Sequence, residues 1–246
     1  MSSQLKQEDY PHFNSRSIKE LQALNRTISH EVKAPVRAID GYARIFIEDF
    51  GGQVPADGVD LIQNIRSICK DTLQLINTLL DYTKYADADP IQETIDFRRM
   101  IHDVFHELVY SYGDQQHITL DVSDTMPFLL ADSILIRQVL INLLSNALKF
   151  TKNQDEVMIT VGYQHINDEH IFFIQDNGVG FDMNFSENIF GLFQRMHTLD
   201  DYEGSGVGLA IVKSIIHKFG GKVWITGEVG HGACAYFTLS PVTILT

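Results

Sequence analysis

The chain has 246 residues, 44% of them apolar, which is enough for one large domain or two small domains with separate cores. Its 32 acidic and 19 basic residues give a formal net charge of −13, which argues against binding nucleic acid or an anionic membrane through bulk charge. No secretory signal opens the chain and no apolar run reaches the roughly 20 residues of a membrane span, so we expect a cytoplasmic chain. A missing upstream region could still attach the full-length protein to a membrane. The two cysteines, Cys69 and Cys234, form no Cys-x-x-Cys pair and are expected to be buried thiols.

The first third of the chain predicts a helical hairpin. Residues 1–15 are polar and without a period, and we predict a flexible lead or linker there. Apolar residues recur every three or four positions over Ile18–Phe46 and again over Val59–Thr83, which predicts two long helices. The glycines and proline of Gly51–Pro55 predict a turn between them. Because a hairpin over residues 16–89 cannot bury both apolar stripes by itself, we predict that two copies pair as a dimeric four-helix bundle.

The rest of the chain predicts an α+β domain over residues 90–246. Alternating or β-branched segments predict strands at Ile118–Val122, Val157–Tyr163, His170–Gln175, Lys222–Thr226 and Ala233–Leu239. Amphipathic segments predict helices at about Arg98–Tyr112, Asp132–Thr151 and Gly208–Phe219. We therefore predict an α/β sandwich of helices over a mostly antiparallel sheet, with the domain boundary near Pro90.

The first helix carries a histidine that is suited to nucleophilic chemistry. His30 is predicted to lie off the apolar stripe, and Glu31 follows it directly. A neutral imidazole can attack phosphorus, and an adjacent carboxylate can orient the ring and accept its proton. Pro35 lies inside the helix, where its missing N–H predicts a hinge. Such a His-Glu pair is more often a solvated helix face, and a zinc protease is excluded because Ala34 stands where the second histidine of His-Glu-x-x-His would be.

Three later segments suit a nucleotide. Asn142, Asn146 and Lys149 are spaced by four and three, so they share one helix face that offers amide oxygens for Mg²⁺ and an ammonium group for phosphate. Asp176 ends an apolar strand and precedes Gly178 and Gly180, so its carboxylate can accept a hydrogen bond from an adenine amino group while the glycines permit close approach. A plain turn remains an alternative for this segment.

The third segment has alternate glycines that lead directly into an apolar helix, which is an arrangement that attracts phosphate. It reads Gly204-Ser205-Gly206-Val207-Gly208-Leu209. It is not a P-loop, because the chain contains no Gly-x-x-x-x-Gly-Lys-Ser/Thr sequence, and its Gly-x-Gly-x-Gly spacing is not that of a Rossmann turn.

In their order and spacing these segments resemble the sensor histidine kinases of two-component signalling, over nearly all of residues 16–240. The boxes of that family are matched by Ser29–Pro35 (H), Asn142–Phe150 (N), Asp176–Gly180 (G1), Phe190–Phe193 (F) and Gly204–Gly208 (G2), and Gly227–Gly232 resembles the turn between its last two strands. The segments Arg37–Tyr42 and Phe193–His197 are similar to the phytochrome-like and related soluble sensor kinases. The resemblance implies a histidine kinase/gyrase/Hsp90-like ATP-binding fold for the second domain.

The resemblance also implies roles for individual residues. His30 would be the phosphoacceptor, Glu31 its acid/base partner and Pro35 a hinge. The implied ATP-binding residues are Asn142, Asn146, Lys149, Asp176, Gly178, Gly180, Arg195, Gly204, Ser205, Gly206, Val207, Gly208 and Leu209, with Asn146 ligating the Mg²⁺ of MgATP. The segment His197–Glu203 would be a mobile lid, which Phe190 and Phe193 would anchor while they help to dock the ATP domain.

The activity that the resemblance implies is autophosphorylation of His30 from MgATP and transfer of the phosphoryl group to an aspartate of a response regulator receiver domain. The protein would act as a homodimer, with its sensor domain upstream of this chain. Two alternatives remain, a dimeric scaffold without turnover and an ATPase of the same fold, although such ATPases usually have glutamate where this chain has Asn142. One departure concerns Ala34, because kinases with strong phosphatase activity usually carry Thr or Asn there; we therefore expect weak dephosphorylation of the partner.

Overall fold

A computed structural model describes the chain from Ser15 onward, except for residues 88–90, 113–116, 185–188, 192–193, 195–205, 241–242 and 246. In residues 15–30, 71, 74–75, 78–87 and 111–112 only the helical backbone is described. The chain divides into two compact units, residues 1–83 and 84–246. The predicted lead, apart from Ser15, and the predicted boundary at Pro90 lie outside the described residues.

The first unit is a hairpin of two long helices. Helix α1 (Ser15–Phe50) continues through Pro35, and a 3-10 turn (Gly51–Gln53) leads to helix α2 (Ala56–Asp87), which extends beyond the unit. The predicted helix stop at Gly51–Pro55 is confirmed. A half-buried ion pair joins the two helices, with Arg66 Nε 3.0 Å from Asp40 Oδ1.

The hairpin leaves many large apolar side chains exposed. Among the described side chains of the unit, only Ala43 and Cys69 are buried. The exposed large apolar residues are Val32, Ile39, Tyr42, Ile45, Phe46, Phe50, Leu61, Ile65 and Ile68. Because a single copy leaves so much apolar surface uncovered, the predicted pairing with a second copy has a physical reason.

The second unit is built on a five-stranded sheet with strand order β2-β4-β5-β7-β6 in the described residues. Its strands are β2 (His117–Val122), β4 (Glu156–Ile166), β5 (Glu169–Asp176), β6 (Val223–Glu228) and β7 (Gly232–Thr238). Only β2 and β4 pair in parallel, and the other pairs are antiparallel, as the sequence predicted. The helices are α3 (Phe97–Tyr112), α4 (Ser133–Phe150) and α5 (Gly208–Lys218), each within one residue of its predicted bounds.

The centre of this unit is aromatic. The Phe172 side chain on β5 is fully buried, and its ring centroid lies 5.4 Å from that of Phe97 on α3 and 5.1 Å from that of Phe237 on β7. The edge-to-face contact with Phe97 joins the helix layer to the sheet. Cys234 on β7 is also buried, and both cysteines are free thiols, as expected.

A second, three-stranded sheet was not predicted from the sequence. It has the order β1-β3-β8, with β1 (Glu93–Ile95), β3 (Phe128–Ala131) and β8 (Ile244–Leu245). Strands of two to four residues are too short to display a period, so local patterning cannot identify them. Within the described residues, no helix is long and apolar enough to cross a membrane.

We predict that Phe172→Ala lowers the free energy of unfolding of the second unit by about 3–5 kcal/mol, because it leaves a cavity between the helix layer and the sheet. The matched control Phe128→Ala removes a ring that is half exposed on β3, and should cost much less. Trp224 on β6 is the only tryptophan of the chain, so its fluorescence during denaturant unfolding reports on this unit alone. An equal loss of unfolding free energy in the two variants would contradict the assignment of Phe172 to the centre of the core.

Candidate functional site

Helix α4 presents the predicted polar face toward the site. Its first turn is capped by Asp132, whose Oδ1 accepts hydrogen bonds from the main-chain N–H groups of Ile134 and Leu135 at 3.0 and 3.1 Å. Its apolar face is buried and consists of Leu135, Ile136, Val139, Leu140, Leu143, Leu144, Ala147 and Leu148. The cap and the buried face together fix the rotation of the helix, so Asn142, Asn146 and Lys149 share a half-buried polar face.

Asn142 connects α4 to the start of α5. Its Nδ2 donates a hydrogen bond to the main-chain oxygen of Gln138 at 2.8 Å, which orients the amide. A Cβ placed on Gly208 would lie 2.8 Å from Asn142 Oδ1, so only glycine allows this approach without a shift. The structure therefore brings together two predicted site residues that are 66 positions apart in the sequence.

Asn146 and Lys149 lie one turn and two turns beyond Asn142. Within the described part of the chain, the Asn146 amide makes no hydrogen bond, although it is half-buried. Its amide oxygen is a type of ligand that Mg²⁺ accepts, so Asn146 is suited to binding the Mg²⁺ of a metal–nucleotide complex. The Nζ of Lys149 lies 4.2 Å from the centroid of the Phe150 ring, a cation–π contact at the end of the helix.

Asp176 is a buried carboxylate at the end of β5. Its Oδ1 accepts hydrogen bonds from the main-chain N–H of Gly178 at 2.9 Å and of Ala233 at 3.3 Å. Its Oδ2 accepts no hydrogen bond from the described residues and can take a donor from a ligand. Burial raises the pKa of this carboxyl from 3.8 to about 6, and the two hydrogen bonds partly offset the rise.

The glycines after Asp176 are required by close main-chain contacts. Gly180 has φ +60°, and a Cβ there would lie 1.8 Å from the carbonyl oxygen of Glu228 in the β6–β7 turn. Gly230 of that turn donates its N–H to the carbonyl oxygen of Val179 at 2.8 Å. The β6–β7 turn and the Ala233 N–H therefore form part of the site. The glycines of this turn are visible in the sequence, but its contacts with Val179 and Gly180 are not.

The start of α5 is suited to an anion. Gly206 has φ +68°, Val207 is fully buried, and Val207 at the N-cap position makes no side-chain capping hydrogen bond to the first turn of α5. Main-chain N–H groups in the first turn of a helix have no partner within the helix, and the helix dipole favours negative charge there. Phosphate oxygens therefore fit this first turn, which contains Gly208 and Leu209, two of the predicted ATP-binding residues.

The remaining predicted residues are described only in part. His30 lies on α1, but its side chain is outside the described residues, whereas Glu31 and Ala34 are exposed on the same helix. Phe190 is half-buried. The predictions that fall outside the described residues concern Phe193, Arg195, Gly204, Ser205 and the segment His197–Glu203.

Two family models match the chain. The model of the His Kinase A (phospho-acceptor) domain matches residues 20–87, which contain His30 and Glu31. The model of the histidine kinase-, DNA gyrase B- and HSP90-like ATPase matches residues 131–243, which contain the nucleotide-type site just described. Each match coincides with one of the two predicted kinds of chemistry.

Similar proteins include a cyanobacterial phytochrome and a sensory kinase. Cyanobacterial phytochrome A of Nostoc sp. is 31% identical over 93% of this chain and 29% of its own length. The adaptive-response sensory kinase SasA of Prochlorococcus marinus is 31% identical over 92% of this chain and 61% of its own length. A crystal structure of full-length ShkA in complex with AMPPNP has a TM-score of 0.64 at 26% identity, over 92% of this chain and 46% of that one. The chain therefore spans less than two thirds of each of these proteins.

We predict that Asp176→Asn stabilises the ligand-free protein in a pH-dependent way. Between about pH 4 and pH 6 the folded protein holds a proton on Asp176 that the unfolded chain has lost, so the parent's free energy of unfolding falls as pH rises. A pKa raised by about 2 corresponds to about 3 kcal/mol, which the variant should regain near pH 7 and not near pH 4. The same variant should bind ATP more weakly, since its Nδ2 replaces the oxygen that faces the ligand.

Denaturant unfolding followed by Trp224 fluorescence at several pH values measures this difference. The control Asp155→Asn makes the same chemical change at an exposed carboxylate on the same unit. A difference between Asp176→Asn and the parent that stays constant from pH 4 to pH 7 would show that Asp176 is not the titrating group.

Proposed function

We propose that this chain, which belongs to the sensor histidine kinases of two-component signalling, binds MgATP in its second unit and phosphorylates His30. The phosphoryl group then passes to an aspartate of a response regulator receiver domain. The observation that carries the proposal is the buried Asp176 carboxylate, whose Oδ1 is held by two main-chain N–H groups while its Oδ2 remains available to a ligand.

The adenine end of ATP suits Asp176. An exocyclic amino group donates hydrogen bonds, and Oδ2 of this buried carboxylate is an acceptor that takes no hydrogen bond from the described residues. The loop next to this carboxylate requires glycine at positions 178 and 180, because a Cβ at either position would lie within 3 Å of a main-chain oxygen of the protein itself. The site would therefore discriminate between bases, since a base with a carbonyl oxygen in place of the amino group would place that oxygen against Oδ2 of Asp176, and both are acceptors.

The phosphate end suits the space between α4 and the start of α5. Lys149 offers a positive charge, and the first turn of α5, which receives no side-chain cap from Val207, offers main-chain N–H groups. Asn146 would hold the Mg²⁺, which, when bound, neutralises charge on the phosphates. Asn142, whose amide is oriented by Gln138, supports the same end, and Arg195 with Gly204 and Ser205 completes the proposed set.

His30 supplies the nucleophile in this proposal. A ring nitrogen attacks the γ-phosphorus, the bond to the bridging oxygen breaks, and ADP leaves. Glu31 is exposed one residue further along α1 and would accept the proton that the imidazole loses. The resulting phosphohistidine is then attacked by the receiver's aspartate, which restores the imidazole.

The hairpin provides the assembly. Its exposed apolar residues support a homodimer through residues 16–89, joined near Pro90 to an ATP-binding domain over residues 90–246. Pro35 lacks the N–H that would continue the helical hydrogen bonding, so it is a suitable hinge after His30. Phe190 and Phe193 would help to hold the lid and dock the ATP domain.

Two other functions are less well supported. An ATPase of this fold requires a base that activates water, and the Asn142 amide is no base. A scaffold without turnover would not need a buried carboxylate at a cost in stability. The kinase uses all of these features.

We predict that the protein incorporates label from γ-labelled ATP with Mg²⁺, and that the label is acid-labile and base-stable, as phosphohistidine is. His30→Gln should abolish incorporation and leave ATP affinity unchanged, because residue 30 is outside the ATP-binding unit. Asn146→Ala should reduce both incorporation and MgATP affinity, since it removes the proposed metal ligand.

The alternatives give different results in the same experiment. Unlabelled protein that binds ATP tightly would favour the scaffold. Phosphate released steadily from ATP at equal rates by the parent and His30→Gln would favour the ATPase.

We predict that the protein removes phosphate from its receiver partner slowly, because Ala34 has no side-chain group that can hold an attacking water. Ala34 is exposed, so a larger side chain fits. Ala34→Thr should speed the loss of phosphate from the phosphorylated receiver, whereas Ala34→Val, which has the same shape without the hydroxyl, should not. Rapid dephosphorylation by the parent, with Ala34→Thr having little effect, would refute this expectation.

A further inference from the structure

Strand β5 ends at Asp176, although its neighbour β4 extends three residues further, to Glu156. The register pairs Ile159 with Asp176, so continued pairing would place Met158 opposite Asn177 and Glu156 opposite Val179. The main chain of β5 does not continue in this way. The side chain of Asn177 makes the hydrogen bonds instead.

Asn177 provides hydrogen-bond partners for the main chain of β4 with three groups: its main-chain N–H and the oxygen and nitrogen of its side-chain amide. Its main-chain N–H donates to the Met158 oxygen at 3.3 Å, as in an ordinary ladder. Its Oδ1 accepts the Met158 N–H at 2.9 Å, in place of its own carbonyl oxygen. Its Nδ2 donates to the Glu156 oxygen at 2.8 Å, in place of the N–H of Val179. A planar amide therefore stands in for the next stretch of strand.

The main chain that is released in this way turns into the ATP site. The Val179 N–H donates to the Phe150 oxygen at the end of α4 at 3.2 Å, and the Val179 oxygen accepts the N–H of Gly230 at 2.8 Å. The Gly178 N–H donates to Oδ1 of Asp176 at 2.9 Å. If β5 continued as a strand, the Val179 N–H would pair with Glu156 and could not reach α4.

The requirement for asparagine is chemical. Aspartate has the same shape, but an oxygen would replace Nδ2 and face the Glu156 carbonyl oxygen. Alanine would leave the Met158 N–H without its acceptor, and serine can replace only one end of the amide. The asparagine side chain therefore supplies both the acceptor for the Met158 N–H and the donor for the Glu156 oxygen.

We infer that Asn177 is a positioning residue of the ATP site: it ends β5 directly after Asp176 and so sets the position of the adenine-binding carboxylate and the glycine loop. The inference rests on the proposed function, since it assigns Asn177 a role in recognising the adenine base. Asn177 itself acts through Asp176 and Gly178 and needs no contact with the nucleotide.

The test measures binding of MgATP and MgITP to the full chain by calorimetry. The base of ITP has a carbonyl where adenine has its amino group, so the ratio of the two affinities reports on the position of Asp176. Asn177→Asp should weaken ATP binding by about tenfold or more and bring the ratio close to one, because the carboxylate is displaced. The control Asn167→Asp makes the same change at the exposed far end of the β4–β5 pair and should leave both affinities unchanged.

A purely structural role gives a different result. It would lower the unfolding midpoint reported by Trp224, but folded Asn177→Asp would keep the parent's ratio of ATP to ITP affinity, which would overturn the inference. If Asn177→Asp does not fold, Asn177→Ser provides the same readout with a smaller expected loss. Amide hydrogen exchange is a direct check, since the Met158 N–H should exchange faster in Asn177→Ala than in the parent if Oδ1 of Asn177 is its acceptor.

The outcome also separates this inference from the proposed function. A parent that binds ATP and becomes labelled on His30, with Asn177 variants that retain the parent's affinity ratio, would remove the role of Asn177 and leave the kinase intact. A parent that does not bind ATP would overturn the proposed function and this inference together.

Discussion

Desolvation of the Asp176 carboxylate is the constraint on which the arrangement of the second unit depends. Burial disfavours its charged form, so the fold must supply donors, and these are the N–H groups of Gly178 and Ala233. One donor follows β5 and the other begins β7, so the two segments must meet at one oxygen. The other oxygen is left for a ligand, which is why a group that costs stability in the free protein can contribute specificity in the complex.

The space around this carboxylate is set by main-chain contacts. The loop after β5 lies between the end of α4 and the β6–β7 turn, with hydrogen bonds from Val179 to Phe150 and from Gly230 to Val179. Gly180 and Gly232 adopt positive φ angles within these contacts, and no side chain fits at either position. The proposed adenine end of the site is therefore preorganised, whereas the proposed phosphate end relies on charge and on the main-chain N–H groups at the start of α5.

The two units differ in how they are stabilised. The second unit has its own aromatic core around Phe172, with helices packed on a sheet. The hairpin buries few of its described side chains and exposes a long apolar surface. A nucleotide site on the self-sufficient unit and a histidine on the unit that needs a partner would link phosphorylation to assembly, which suits a signalling enzyme.

Period and spacing are local properties of the chain, so the sequence was sufficient to predict the helices, most strands of the large sheet and the order of the motifs. It could not identify the three-stranded sheet, whose strands are too short to show a period, nor the contact of Ala233 with Asp176, 57 positions away. The replacement of part of a strand by the Asn177 side chain is visible only in the folded protein. That role depends on the register between β4 and β5, and register arises from the packing of the whole sheet rather than from any one segment.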